Sequence, residues 1–550
     1  MLIRTQKNQQ QLRRYAAGIC GLMTIFIVTH WLRLILRNLL VRKVPGFTSS
    51  GHVLVVVAYV AINLSLTLTN VTMSISGIAN RCGWMLCANF CLVVFLALKN
   101  TPLALLSAYS YERLNGLHQI AGYTTFVFLV LHASMYTNYF LSDNETKIFE
   151  GGSVRAGIVA GFGFLGVVFS ATVVRHIWYE AFLVMHVVCF LIALISASYH
   201  QHELSSGLLV IFSVIAGLWG ADRLVRGSRM LFGSINNHAV IEPLPDGGTK
   251  ILLAKRPLGA VPGKHCFVWI PAIRKFESHP FTIAATEPME FVVNAYDGFT
   301  RDLHSYAAAN PGAKLMASVD GPYGTFPDPM SFDKVVLIAG GSGATFTFGL
   351  AVNMLERMGP DSTKTIVFIW AVKKHDNLSW FADHLQTLKT HPHSPKVNAS
   401  LYVTAAAASD PSTQENSDAE EDRQQQHQKQ QNAAPAIISS SSAIVKSDVS
   451  ARPSAASTLS NSYVAADLEK AAATNRMLST DSFHGHDLRP GRPDTATLIR
   501  EAVSSARATD RVLVAACGPS GFMRTVRDTT ASLIRGDGPG VELHCEQFGW

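Results

Sequence analysis

Charge is scarce in this sequence: 15% of its 550 residues are charged against 48% hydrophobic, which excludes a single soluble domain. It has no compact basic stripe interleaved with aromatics, so the net charge of +7 points to membrane orientation and phosphate-bearing cofactors rather than to nucleic acid. The eight cysteines form no CxxC pair, and Cys82, Cys87 and Cys91, which share one apolar segment, read as small buried residues rather than as a metal cluster. The polar, basic stretch 1–14 shows no lumenal cleavage site. The apolar run 15–36 that follows is too long for a signal-peptide core and reads as a first membrane span.

What is present is apolar length, concentrated before about Asp222. Spans are expected at 15–36, 52–70, 81–98, 115–137, 154–174, 180–200 and 205–222, about seven in all. Basic residues collect in alternate loops: Arg37, Arg42 and Lys43; Lys99 and Arg113; Arg175 and His176; Arg223, Arg226 and Arg229. The intervening loops are poor in them and carry the sequons Asn70-Val71-Thr72 and Asn144-Glu145-Thr146. Loops rich in Lys and Arg stay in the cytoplasm, so everything after Gly233 is expected there and the basic N-terminal tail outside.

Two of the spans carry paired histidines, His118 with His132 and His186 with His200, each pair fourteen positions apart. That offset is just under four helical turns, which puts each pair on nearly one face and separates its members by roughly 21 Å. Side by side, the two helices would hold two metal centres stacked across the bilayer, His118 and His186 at the inner depth, His132 and His200 at the outer. Hydrogen-bonded packing histidines are the competing reading. Ionisable residues are costly inside a membrane, however, and four at one spacing favour bis-imidazole ligation of two haems. Zinc is disfavoured, because its ligands would converge at one depth.

After Gly233 the pattern changes, dividing the chain into 1–233, 234–330 and 331–550. The middle part has short β-rich runs (Ile251 to Ala254, Cys266 to Ile270, Phe291 to Ala295) broken by Gly and Pro turns, as in a small antiparallel barrel. From Lys334 strands alternate with helical stretches, as in a parallel α/β sheet. Between about 405 and 492 a stretch rich in Gln, Ser, Ala and acidic residues interrupts it. Too few large apolar groups occur there to offset the entropy of ordering, so it reads as a disordered insertion.

Several short motifs fall in these two parts. His279-Pro280-Phe281-Thr282 offers an aromatic to lie against a flavin and a hydroxyl to bond to it; Asp297-Gly298-Phe299-Thr300-Arg301 offers close backbone approach and a cation for phosphate. Gly321-Pro322-Tyr323-Gly324 comes next. The turn Gly340-Gly341-Ser342-Gly343-Ala344-Thr345 follows the first α/β strand, where backbone N–H groups can meet a pyrophosphate. Lys373 and Lys374 end the second strand and would suit a ribose 2′-phosphate, favouring NADPH, although a solvated lysine pair is the plain alternative. Cys517-Gly518-Pro519 follows the fourth strand, where a nicotinamide would approach, and the chain ends in Phe548-Gly549-Trp550.

Taken in order, HPFT, DGFT, GPYG, AGGSGAT, CGP and an aromatic C-terminus downstream of the paired histidines resemble the ferric reductase branch of the ferric reductase/NADPH oxidase superfamily, particularly fungal transmembrane metalloreductases. The resemblance implies a helical membrane bundle followed by a ferredoxin reductase-like pair of FAD and NADPH domains. It also implies electron flow from cytosolic NADPH through FAD and two b-type haems to chelated Fe(III) or Cu(II) on the far side, in the plasma membrane. On this likeness His279 to Thr282 and Arg301 would contact FAD. Gly321, Pro322, Gly340, Gly341, Ser342, Gly343, Thr345, Lys373, Lys374, Cys517, Gly518 and Pro519 would contact NADPH. Phe548 and Trp550 are the candidates to cover the flavin, and with Cys517 to border the nicotinamide. The long N-terminal region of many fungal members is absent before Met1, and Val292-Val293-Asn294 stands where a basic residue is often seen. A superoxide-producing NADPH oxidase and a non-catalytic scaffold or transporter are the rival functions; equal histidine gaps, DGFT, GPYG and Trp550 favour the metalloreductase. His202 and Glu203 read as a solvated loop.

Overall fold

A computed structural model describes residues 2–40, 50–107, 110–201, 206–405, 482–534 and 538–546. Seven of its helices are long and apolar enough to cross a membrane. They belong to α1 (Leu2–Leu40), α2 (Ser50–Leu68), α3 (Ile75–Ala97), α5 (Tyr111–Ser142), α6 (Gly152–Phe169), α8 (Tyr179–Gln201) and α9 (Ser206–Ser234). The short α4 (Pro102–Ser107) and α7 (Arg175–Ile177) lie between them, and one π-helical turn, Ser170–Val174, joins α6 to α7. Helix α9 runs twelve residues past Asp222, where hydropathy alone would end the span, because Arg226 and Arg229 fold onto a carboxylate of the next domain.

Helix α3 is the hub of the bundle, buried over most of its length. Its Asn89 accepts from the hydroxyls of Tyr15 and Tyr59 and donates to Asn63 Oδ1 at 2.7 Å, which ties α1, α2 and α3 by polar contacts. Without water, such bonds replace the hydrophobic drive between helices. Arg81, also buried, donates to the carbonyls of Leu66, Thr69 and Asn70 and so caps the C-terminal end of α2, while its Nε reaches Asn8 of α1 at 2.9 Å. Helices α6 and α8 approach closely because Gly163 faces Ala193: a Cβ there would lie 2.9 Å from the Ala193 nitrogen.

Two antiparallel sheets follow. Strands β1 (His238–Pro243), β2 (Gly248–Leu253), β3 (His265–Trp269), β4 (His279–Thr282), β5 (Ala285–Thr286), β6 (Met289–Asn294), β7 (Ala313–Met316) and β8 (Ser318–Tyr323) pair in the orders β5-β6-β2-β1-β7 and β4-β3-β8. Their facing residues, with Phe299 and Leu303 of α10 (Gly298–Ala309), form one core, so the expected barrel is an open pair of packed sheets.

The last domain is a sheet of seven strands in the order β12-β13-β11-β10-β9-β14-β15. In chain order the elements are β9 (Lys334–Gly340), α11 (Ala344–Arg357), β10 (Thr365–Val372), α12 (Ala382–Thr390), β11 (Val397–Val403), β12 (Ser482–Phe483), β13 (His486–Pro490), α13 (Thr495–Ser504), β14 (Arg511–Cys517), α14 (Ser520–Leu533) and β15 (Gly540–Glu546). All neighbours pair in parallel except the edge strand β12. The chain order reverses between β9 and β14, and ligands of open α/β sheets bind outside the strand ends at such a reversal. Strands β12 and β13 fall inside the stretch read as an insertion up to about 492. Their sequence has only Phe483 and Leu488 as large apolar residues, and it joins the sheet through backbone pairing with β11, which periodicity does not register.

His384, 6% exposed between the rings of Phe348 and Phe381, makes this domain sensitive to acid. Burial first, and the charge of Lys250 second, depress its pKa from 6.5 to about 4. The folded chain therefore binds fewer protons than the unfolded chain between those values. The stability from neutral His384 is full above pH 6.5 and is lost as pH falls towards 4, by about 3 kcal/mol. Burial lowers His486 and His544 in the same direction. His384→Gln should flatten the acid limb of a melting-temperature profile; an unchanged limb would assign the slope to other groups.

Candidate functional site

The four intramembrane histidines share one local device. His118 Nδ1 faces Val93 O at 3.0 Å and His132 Nδ1 faces Ala79 O at 2.9 Å, both carbonyls on α3. His186 Nδ1 faces Val167 O at 3.1 Å and His200 Nδ1 faces Ser153 O at 2.7 Å, both on α6. The accepting carbonyls are themselves fourteen residues apart on each helix, so the hairpin α3–α5 repeats as α6–α8. A carbonyl only accepts, so each Nδ1 carries the proton and each Nε2 keeps its lone pair, the tautomer a metal-ligating imidazole needs. His186 has a second partner, Ser170 Oγ in the π-helical turn, at 3.1 Å.

The structure brings the outer two rings together: His132 and His200 have ring centroids 6.4 Å apart at 76°. His118 and His186 lie fourteen residues before them on the same two helices, α5 and α8. Two metal–imidazole bonds of about 2.0–2.1 Å, plus the ring radii, amount to roughly 6 Å between centroids. Gly83 and Gly157 make room at the outer pair: a Cβ at either would lie 2.7 Å from the Nδ1 of His132 or of His200. Among the described residues no three His, Cys, Asp or Glu side chains converge, so each pair offers two ligands, a donor set that suits an iron whose other positions are filled by a macrocycle.

Helix α5 begins at the sheet junction. His265, first residue of β3, is in register with Thr282 of β4, and its Nε2 lies 3.1 Å from Tyr111 Oη and 2.9 Å from Glu112 Oε1. His118 is two turns further along α5, about 10 Å. Asp320 of β8, with no exposed side-chain surface, accepts from Arg226 Nε at 2.8 Å, Arg229 Nη1 at 3.4 Å and Tyr323 Oη at 2.8 Å. Burial and then the Asp320 charge push the Tyr323 phenol well up, so it stays a donor.

On the other edge of this small sheet, the His279 ring stacks on Phe299 at 4.4 Å and Phe281 lies 6.1 Å from the same ring. Pro280 is half-buried and Thr282 buried in that strand, and Arg301 is exposed on α10. Burial lowers the His279 pKa, with Glu277 at 3.2 Å pulling it back. Glu180, in the first turn of α8, reaches the start of α10, where a Cβ on Gly298 would meet its Oε1 at 2.7 Å. Each helix that carries histidines thus sends an acidic residue, Glu112 or Glu180, into the FAD-side domain.

At the strand reversal, the ends of β9 and β14 bring two motifs together. A Cβ on Gly340 would lie 2.9 Å from Pro519 Cδ, and one on Gly343 would lie 2.4 Å from Cys517 O, with Gly518 between. Gly341 adopts φ +58° and its carbonyl accepts from Trp370 Nε1 at 3.0 Å; Thr345 Oγ1 donates to Ser342 O at 3.0 Å. Burial, and the neighbouring Glu546 after it, raise the Cys517 pKa well above the usual thiol range, so it is a neutral thiol and not a nucleophile. Lys374 is ion-paired with Asp246 of the preceding domain, and Lys373 beside it is likewise exposed. Gly321 and Pro322 lie elsewhere, in the wall of a cavity beside α9. Phe548, Trp550, His202 and Glu203 lie outside the described residues.

Sequence reasoning missed Arg113, whose Nη2 lies 3.0 Å from His544 Nδ1 on β15, while His544 Nε2 faces Glu546 at 3.0 Å. Arg113 was legible only as a charge at a span end. Its partner is far away in the chain.

Three family profiles match the chain in the order of its domains: a ferric reductase like transmembrane component at 82–197, a FAD-binding domain at 248–326 and a ferric reductase NAD binding domain at 332–531. The chain belongs to the ferric reductase family. It is a multi-pass membrane protein with a FAD-binding and an NAD-binding domain. Over 471 residues it is 25% identical to ferric/cupric reductase transmembrane component 2 of Saccharomyces cerevisiae, covering 83% of this chain and 59% of that one. A probable cell surface ferric reductase of Aspergillus oryzae is 24% identical over 398 residues, covering 65% and 53%. The chain spans about three fifths of the length of the curated relatives it matches first, 59% and 63%.

Proposed function

We propose that this ferric reductase carries electrons from cytosolic NADPH through FAD and two b-type haems to chelated Fe(III) or Cu(II) across the plasma membrane. The observation that carries the reading is the commitment of all four Nδ1 atoms to backbone carbonyls, which leaves the four Nε2 atoms to serve as ligands. One NADPH supplies two electrons and releases one proton, reducing two Fe(III) to two Fe(II). When bound, the flavin takes the hydride and divides the electron pair, and the haem irons carry single electrons through the bilayer.

The chain's own contribution is position and insulation. His118 and His186 would hold the inner haem, His132 and His200 the outer, each imidazole fixed in tautomer and angle by its carbonyl. His279 to Thr282 and the start of α10 would seat the flavin, whose strand is joined through His265 to Tyr111 and Glu112. The turn Gly340 to Thr345 would take the pyrophosphate of NADPH at the start of α11, Lys373 its 2′-phosphate, and neutral Cys517 would border the nicotinamide. Lys99, Arg113 and Arg226 each meet residues of the two domains after α9, the side that the positive-inside rule would make cytoplasmic. Cu(II) as an acceptor follows the name of the yeast relative, a ferric/cupric reductase.

A haem-to-polypeptide ratio on purified protein tests the reading, with about two per chain expected. Fe(III)-chelate reduction should persist without oxygen and resist superoxide dismutase; loss of the signal on either count would favour an oxidase. Gly83→Ala and Gly157→Ala should each displace the facing imidazole and weaken outer-haem retention by about 10- to 100-fold. Gly217→Ala, with no atom within 4 Å of the added carbon, should leave the haem spectrum unchanged. Equal spectra for all three would remove the outer site.

A further inference from the structure

A cavity of about 1080 Å³ opens where the membrane helices meet the sheet β4-β3-β8. Its wall draws cations from separate elements: Lys99 after α3, Arg229 near the end of α9, and Lys255, Arg256 and Lys264 from the loop between β2 and β3. Among its described lining residues there is no Asp or Glu. Of the cofactor motifs, only the Gly321 turn lines it; the flavin strand at 279–282 and the glycine turn at 340–345 do not.

Two of the five cations are neutralised nearby, Arg229 by Asp320 and Arg256 by Glu287 at 2.8 Å. Lys255 Nζ donates to a carbonyl, Ile235 O, at 3.0 Å, and the Lys99 ammonium sits 3.2 Å from the centroid of the Phe267 ring. Neither partner carries a full negative charge. Among the described residues Lys264 has no carboxylate in ion-pair range either. Burial first, then Arg226 and Arg223, push the Lys99 pKa below its usual value, and Asp320 and Glu112 pull it back.

The rim is as apolar as the wall is basic. Phe232 is 71% exposed, Ile235 53% and Leu258 99%. Phe232 lies on α9 one residue beyond Leu231, itself 67% exposed, ten residues past Asp222. Cations above an exposed apolar rim at the end of a membrane helix suit a ligand with an anionic head and apolar tails. The geometry points to a binding site for the phosphate-bearing headgroup of an anionic phospholipid, with its acyl chains along α9 past Phe232 and Ile235. The same phosphate chemistry is offered by free phosphate, but only a lipid uses the apolar rim.

The test is the apparent melting temperature of the full-length protein in neutral detergent, titrated with dioctanoyl phosphatidylserine, dioctanoyl phosphatidylcholine or inorganic phosphate. The anionic lipid should raise it by about 3 °C, and the other two should not. Lys255→Gln with Lys264→Gln should weaken the anionic-lipid effect about tenfold or more. An equal rise with phosphatidylcholine, an equal rise with inorganic phosphate, or an unchanged affinity in the double variant would each overturn the proposal. Native mass spectrometry of the unaltered protein from mixed micelles gives a second readout. Retention of about one phosphatidylserine per chain in preference to phosphatidylcholine supports the site, and retention without preference refutes it.

Discussion

His132→Ala should halve the haem content of the purified protein and lower reduction of external Fe(III) by about 100-fold or more, while NADPH still reduces the flavin at close to its ordinary rate. The imidazole is held by Ala79 O on one side and faces His200 on the other, and among the described residues no third His, Cys, Asp or Glu converges on that pair. Loss of an outer-shell partner alone costs a metal site about 10- to 100-fold, and loss of the ligand itself costs at least that. The inner pair is fourteen residues away on each helix and rests on different carbonyls, Val93 and Val167, so its spectrum should survive. Stopped-flow absorbance at the flavin and haem bands, read beside Fe(III)-chelate reduction, separates the steps. Undiminished external reduction with a full haem complement would show that His132 is a packing residue and that the outer ligand lies elsewhere.

The parts of this site that are legible in the sequence are those set by local period. A fourteen-residue offset places two histidines on one helical face whatever surrounds them, and a glycine turn after a strand marks the nucleotide crevice without any neighbour. What fixes the imidazole tautomers is not legible, because a backbone carbonyl has no letter: Ala79, Val93, Ser153 and Val167 act through a group every residue carries. The ion pair of Lys374 with Asp246, 128 positions earlier, is not legible for a different reason: only the folded domains bring the two together. Hydropathy likewise ends the seventh span at Asp222, whereas the helix continues to Ser234 because its arginines find their acid in another domain. The strand His486–Pro490 escaped for want of side-chain periodicity, since it joins β11 through its backbone ladder and one long-range contact, Arg489 with Tyr402.

The second large effect concerns that shared acid. Asp320→Ala should destabilise the junction of membrane and FAD domains by about 3–5 kcal/mol, the cost of leaving buried charges without their partner. Arg226 and Arg229 would then lose their shared carboxylate while Asp222 stays paired with Arg223, and the Tyr323 hydroxyl would lose its acceptor. Both arginines are on α9 and the acid is on β8, so the damage falls on docking rather than on either fold. The flavin strand is registered to the membrane helices through the same sheet: β8 pairs with β3, β3 with β4. A misplacement of about 1 Å costs on the order of 100-fold in a positioned reaction, so haem reduction by NADPH should slow by one to two orders of magnitude while flavin reduction persists. Asp320→Asn keeps the shape and the acceptor but not the charge, and should fall between the two. If Asp320→Ala melts within about 1 °C of the unaltered protein and reduces its haems at the same rate, the carboxylate is not what joins the domains, and the path through His265, Tyr111 and Glu112 must hold the junction by itself.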